Sequence, residues 1–218
     1  MRKERTVKLL KRCLLLASVL MMMFSCTAFA SPKSKAFKAY KKYLSKSKVY
    51  VMPKGYKWYT RDFTDYRAKT YKGTKASKVK FAFAYIDNDN VPELILTDAK
   101  WGSAIYKYMG GKVTCVDHVS FYDKYKGYYK KYGLIYRLHT SEGTPYTDNY
   151  EKLEGNVLNK VCYIEHDSEY DPPMYHLTDW QEVSKAEFNA ARAQAAGGKK
   201  YTKFKFYSNT AANRKKLK

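Results

Sequence analysis

Residues 79–96 read VKFAFAYIDNDNVPELIL, and the reading of this stretch decides the fold. Its first half alternates. Val79, Phe81, Phe83 and Tyr85 fall on one face of an extended chain, and Lys80, Ala82 and Ala84 fall on the other. A two-residue period is the pattern of a β-strand. Asp87-Asn88-Asp89-Asn90 then supplies turn residues, whose short polar side chains hydrogen-bond their own backbone. Leu94-Ile95-Leu96 restarts as a second strand, so the stretch is a hairpin.

The same unit recurs downstream. Ala104–Tyr108 and Lys112–Val116 flank Met109-Gly110-Gly111. Tyr128–Tyr132 and Leu134–Leu138 flank Gly133. Tyr150–Leu153 and Val157–Ile164 flank Glu154-Gly155-Asn156. Glycine between alternating apolar runs marks hairpins, and adjacent hairpins pair antiparallel. Spacing between them is irregular, so this is a meander of similar hairpins rather than a repeat.

Helical signals flank the meander. In residues 33–46, Phe37, Tyr40 and Leu44 share one face of a short amphipathic helix. Residues 47–78 are rich in Lys and Tyr and carry Pro53, Gly55 and Gly73, the marks of loop or weak strands lying on the core. Near the other end, Ser184-Lys-Ala-Glu187 is a capping box, and Val183 with Phe188 forms a hydrophobic staple. That helix spans 184–196 and stops at Gly197-Gly198. YTKFKFY (201–207) reads as a last strand, and 209–218 is a basic tail. The expected fold is mainly β (α+β): a leader over 1–30, an N-terminal helix and lead-in over 31–78, and an antiparallel β domain over 79–218 with a late helix.

The leader has a recognisable order. Arg2, Lys3, Arg5, Lys8, Lys11 and Arg12 precede an apolar run, Cys13–Phe24, and Ala28-Phe29-Ala30 precedes Ser31-Pro32. This is the layout of a secretory signal peptide cleaved after Ala30. The apolar run is shorter than the ~20 residues of a membrane-spanning helix. The alternative is a lipid anchor on Cys26. Either places the chain outside the cell or on its surface.

Composition narrows the class further. The chain has 218 residues, 42 basic and 20 acidic, and is 45% apolar, enough for a packed core. Six basic residues and one acidic residue lie in 1–30, so the remainder keeps a formal charge of +17. Collagen, coiled-coil and multi-span membrane classes are excluded. Cys115 and Cys162 follow the leader. An oxidising exterior permits a disulfide between them, and the other reading is two separate small core residues.

Asp87, Asp89 and Glu93 gather three carboxylates on one turn. A hard cation with oxygen ligands, such as Ca2+, would relieve their repulsion. The calcium-loop pattern fits poorly, because Val91 and Pro92 stand where ligand and glycine belong. The other reading is a polar β-turn.

The segment KFAFAYIDNDNVPELIL (80–96) resembles the D-x-D-x-D-G-x-P-E-L-x-L segment of uncharacterised secreted proteins and lipoproteins from Gram-positive bacteria. In those, a Y-x-Y-x-x-G-K-V hairpin follows, here within Ile105–Val113, and an S-K-x-E-F/Y-N helix, here Ser184–Asn189. The acidic segment is also similar to the calcium loops of integrin-like propeller repeats. It departs from them at Tyr85, where the first Asp would stand, and at Asn90, where Gly would stand. The resemblance implies export and a β-rich fold, and brings no activity.

No catalytic signature appears. Gly-x-Ser-x-Gly and His-Glu-x-x-His are both missing. Cys115 and His118 are close in sequence, but an offset of three places them on opposite faces of a strand. The expectation is a non-catalytic protein, with an unrecognised wall-polymer hydrolase as the distant alternative.

The strongest physical feature is Lys interleaved with Tyr. It runs through Tyr40-Lys41-Lys42-Tyr43, YDKYKGYYKKY (122–132) and KKYTKFKFY (199–207). Lys41, Lys42, Lys124, Lys126, Lys130, Lys131, Lys199 and Lys200 are the candidate polyanion contacts. Lysines attract polyanions at a distance, and aromatic faces stack on sugars or bases. Outside a Gram-positive cell the partners of this chemistry are teichoic acid and anionic membrane surfaces. Nucleic acid is not the natural partner of an exported chain. The alternative is a solvated basic face that blunts sheet edges.

Overall fold

Alternation over residues 80–84 and 93–98 produces the expected hairpin, which becomes the centre of a five-stranded sheet. The structure, a computed structural model, describes residues 30–62, 65–141, 144–166, 172–178 and 180–217. The expected leader and Cys26 lie outside these, and no described helix is long and apolar enough to cross a membrane. Pro32–Lys218 form one compact unit. Helix α1 (Pro32–Leu44) opens it, followed by β1 (Lys48–Val49), β2 (Lys57–Asp62), β3 (Asp65–Thr70) and β4 (Thr74–Lys75). Then come β5 (Lys80–Ala84), β6 (Glu93–Asp98), β7 (Gly102–Met109), β8 (Lys112–Val119), β9 (Asp123–Tyr129), β10 (Leu134–Ser141), β11 (Thr144–Glu154) and β12 (Val157–His166). The end holds β13 (Met174–Leu177), β14 (Glu182–Val183), α2 (Lys185–Ala196), β15 (Tyr201–Lys203), β16 (Tyr207–Ser208) and α3 (Ala211–Lys215).

Every strand pair is antiparallel. One sheet has the order β16-β5-β6-β7-β8, and another has β14-β13-β12-β11-β10-β9-β15; β1-β4 and β2-β3 form two-stranded pairs. The molecule is therefore mainly β, with a helix at each end of the meander.

Four layers follow from which face each strand buries. Ala36, Tyr40 and Leu44 of α1 pack with Phe81, Leu94, Leu96, Ala104 and Tyr106 on one face of the five-stranded sheet. Ala82, Ala84, Ile95 and Ile105 on its other face meet Tyr125, Tyr128, Ile135 and Leu153 of the seven-stranded sheet. The far face of that sheet packs Leu134, Tyr150 and Cys162 against Phe188 and Ala196 of α2. Burial on both faces explains β5: large aromatics fit under the helix, and small alanines admit the second sheet. The buried stripe of α1 is Ala36, Tyr40, Leu44, with Phe37 at its rim against Phe83, rings 5.1 Å apart. At α2 the capping box forms, with Ser184 as N-cap, and Gly197 closes the helix in the left-handed conformation at φ 54°.

The last strand departs from the sequence reading. YTKFKFY (201–207) is split between two sheets: Tyr201–Lys203 pairs with β9, and Tyr207 with Phe81 of β5. The segment is a strap that joins the two sheet edges. Phe204 and Phe206 lie half-buried in the inter-sheet core, with Phe204 stacked on Tyr128 at 5.1 Å. Gly127 permits this approach, since a Cβ there would lie 2.3 Å from the Thr202 carbonyl oxygen. The apolar gap between the sheet edges takes the phenylalanines and so divides one alternating run in two.

Candidate functional site

The acidic turn is organised by its own side chains. Asp87 Oδ1 accepts from the Asp89 amide at 3.1 Å, and Asp89 Oδ1 from the Val91 amide at 2.7 Å. Both are Asx turns, as Asp at a turn favours. Asn90 adopts φ 61°, the left-handed conformation a glycine would take there, which asparagine tolerates. Glu93, 1% exposed on β6, accepts from the Ile86 amide at 2.8 Å. The one ligand atom offered by each of Asp87, Asp89 and Glu93 lies within 4.8 Å of the others, a set that could hold a metal ion.

A lysine from the neighbouring hairpin already supplies a cation there. Lys107 Nζ on β7 donates to Asp87, and stands 3.5 Å from Asp89 Oδ2 and 3.9 Å from Glu93 Oε1. Lys107 itself is 6% exposed. Burial opposes its charge, but contact with Asp87, Glu93 and Asp89 outweighs burial and raises its pKa. Burial, then the charge of Asp87, pushes Glu93 up to about 8. Burial also raises Asp89. Lys107 thus sets one positive charge against the three carboxylates of the turn, and burial with the neighbouring charge favours the protonated form of Glu93. Asp87, Asp89 and Glu93 are the residues that would hold a metal ion there, in the place the Lys107 ammonium now takes.

The lysines divide differently from their order in the chain. Lys124 and Lys126 of β9 meet Lys80 of β5 and Lys203 of β15 around a cleft of about 510 Å³ at the junction of the two sheets. Phe121, Tyr125, Tyr201, Phe204 and Phe206 line the same cleft. All four lysines are exposed, and among the described residues none is in an ion pair. The carboxylates in this cleft are engaged. Asp98 accepts from the Lys100 and Trp101 amides at 2.8 and 3.1 Å, and Asp123 pairs with His139.

A second cleft, of about 560 Å³, gathers Lys131, Lys152 and Lys199 with Asp87, Asn88 and Tyr132. Lys131 occupies a left-handed corner, φ 66°, and its Nζ donates to Asn90 Oδ1 at 2.8 Å. Lys199 Nζ stands 5.8 Å from the centre of the Tyr132 ring. The other candidates stay apart from both clefts. Lys41 and Lys42 lie in the last turn of α1, Lys130 stands over Tyr85, and Lys200 is exposed beside Lys199.

Cys115 and Cys162 both carry free thiols. They belong to different sheets and are unpaired, so the disulfide reading gives way to two separate residues, of which Cys162 is a core residue under α2 and Cys115, on β8, is exposed. The face assignment of Cys115 and His118 is also corrected. A bulge lets Cys115 pair with Tyr106 and His118 with Ala104, which puts both on one face, lining a cleft of about 480 Å³. Partial desolvation of the sulfur by the protein around it, then Asp117, pushes the Cys115 thiol up to about 11. The thiol is protonated at neutral pH and is a weak nucleophile. His139, His166 and His176 stand beside Asp123, Asp148 and Glu165 respectively.

Lys80, Lys107, Lys152 and Lys203 were not singled out by the sequence reading. Only Lys80 and Lys203 had a visible signal, their place in alternating strands; Lys107 and Lys152 depend on cross-strand register. The chain matches no family model, no curated protein and no solved structure, so the chemistry of these clefts is read from their residues alone.

Proposed function

We propose that this chain is an exported, non-catalytic protein that binds an anionic polymer of the cell envelope, of the teichoic-acid class, in the cleft between its two sheets. One observation carries the reading. Lys80, Lys124, Lys126 and Lys203 come from three different strands and surround an aromatic floor, and among the described residues none of them is in an ion pair. Unpaired ammonium groups provide long-range attraction, and the aromatic side chains offer stacking surface to the sugar units of such a polymer.

The test is co-sedimentation of residues 31–218 with Gram-positive wall sacculi across a salt series, using walls with and without teichoic acid. The expected result is pelleting that needs the teichoic acid, weakens as salt rises, and is lost when Lys124 and Lys126 are both replaced by Ala. Protein remaining in the supernatant at low salt overturns the reading. Binding to anionic vesicles but not to walls assigns the surface to a membrane instead.

A second reading takes the acidic turn as a Ca2+ site in an adhesion or scaffold module, with Asp87, Asp89 and Glu93 as ligands. The closeness of their oxygens favours it. It requires a melting temperature that rises with millimolar calcium, and an unchanged melting curve removes it.

A further inference from the structure

The two lysine clefts lie at either end of one piece of chain. Lys199 lines one cleft, and Tyr201, Lys203, Phe204 and Phe206 line the other. The strap therefore runs from cleft to cleft along the seam between the sheets. Lys203 stands four steps along the chain from Lys199, about 13 Å at ~3.3 Å per step if fully extended.

The acidic turn borders the second cleft, and Asp87 faces into it. An unpaired carboxylate there would repel an anion. Lys107, which does not line the cleft, pairs with that carboxylate and offsets its charge against that of Lys131, Lys152 and Lys199. Lys152 also stands 3.7 Å from Glu154, an exposed pair that contributes little.

We infer that the two clefts are subsites for a single linear polyphosphate-type chain, which lies along the strap and places phosphates among Lys131, Lys152 and Lys199 at one end and Lys80, Lys124, Lys126 and Lys203 at the other. The inference rests on the polyanion reading above and adds a length requirement: an occupant shorter than the seam reaches one cleft only. Joining two weak subsites through one ligand raises affinity by ~10²–10⁴ over either alone.

The experiment titrates residues 31–218 with inorganic pyrophosphate and with long-chain inorganic polyphosphate, compared per phosphate by calorimetry. Polyphosphate is expected to bind at least ~100-fold tighter. Most of that gain is lost with Lys152→Ala plus Lys199→Ala, and equally with Lys124→Ala plus Lys126→Ala. The corresponding Lys→Arg pairs keep it, because charge is what acts. If the Lys152/Lys199 pair leaves polyphosphate binding unchanged while the Lys124/Lys126 pair weakens it, the two-cleft inference falls and the first cleft stands. If neither pair changes binding, both fall. Loss of the gain in the Arg variants overturns the inference too, since a charge-retaining side chain should sustain it.

Discussion

Two charged regions of this protein, the acidic turn and the first lysine cleft, treat their charge in opposite ways. The acidic turn brings its counter-ion from the next hairpin: Lys107, buried, ties Asp87, Asp89 and Glu93 together. The first cleft leaves Lys80, Lys124, Lys126 and Lys203 exposed and without ion pairs among the described residues. A buried charge must be paired or neutralised, whereas an exposed one is already solvated by water. The first arrangement serves the fold. The second leaves charge available to a partner.

The largest expected break is at Lys107. Lys107→Met leaves half-buried Asp87 and buried Glu93 without their cation, and unfolding in urea at pH 7 should show a loss of about 3 kcal/mol. Millimolar calcium should recover part of this loss in the variant, because the carboxylates are then free to ligate it. If Lys107→Met unfolds at the wild-type midpoint, the description of Lys107 as the counter-ion of the turn is wrong.

Next is the contact that holds the strap. Gly127→Ala pushes a methyl group to 2.3 Å from the Thr202 carbonyl oxygen and should cost about 1–3 kcal/mol. Loss of the Lys203 side of the cleft should weaken polymer binding in the same variant. Retained binding at reduced stability would separate the strap from the site.

Glu93 sharpens the comparison through pH. Its folded pKa, about 8, lies above the ordinary 4.5. Between those values the folded state holds a proton that the unfolded state has released, so stability falls as pH rises through the window. Glu93→Gln, which keeps an acceptor for the Ile86 amide, should flatten this slope and stabilise the protein at pH 9 by about 1–2 kcal/mol. Chemical unfolding at pH 5, 7 and 9 measures it, and parallel slopes for the two proteins would contradict the assignment.

The smallest effect on stability, and the clearest on binding, is expected at the seam. Lys124→Ala with Lys126→Ala should shift unfolding by less than ~0.5 kcal/mol, as exposed substitutions do. Binding to teichoic-acid walls should fall at least ~10-fold at low salt, the difference closing at high salt as charge is screened. A stability loss comparable to that of Lys107→Met would mean these lysines serve the fold.

Much of the architecture was legible because it is local. The alternation of 79–86, the glycines at hairpin turns and the Ser184–Glu187 box each act over a few residues, and each forms. The strap was misread because YTKFKFY alternates like any strand, and only the gap between two sheet edges divides it. Cys115 and His118 were misassigned because a bulge on β8 shifts the faces by one. Of the eight candidate lysines, Lys124, Lys126, Lys131 and Lys199 reach the clefts. Lysine spacing along the chain says nothing of which strands lie side by side.

The sequence by itself determined the periods: strands of two, helices closed by caps, and a surplus of basic charge. These follow from backbone geometry and composition, which short segments carry with them. Tertiary structure decided which charges are neighbours. Lys107 reaches Asp87 across twenty residues of sequence because β7 pairs with β6, and Lys80 comes to Lys203 because the strap crosses between sheets. Electrostatic interaction depends on distance in space, and folding is what sets that distance.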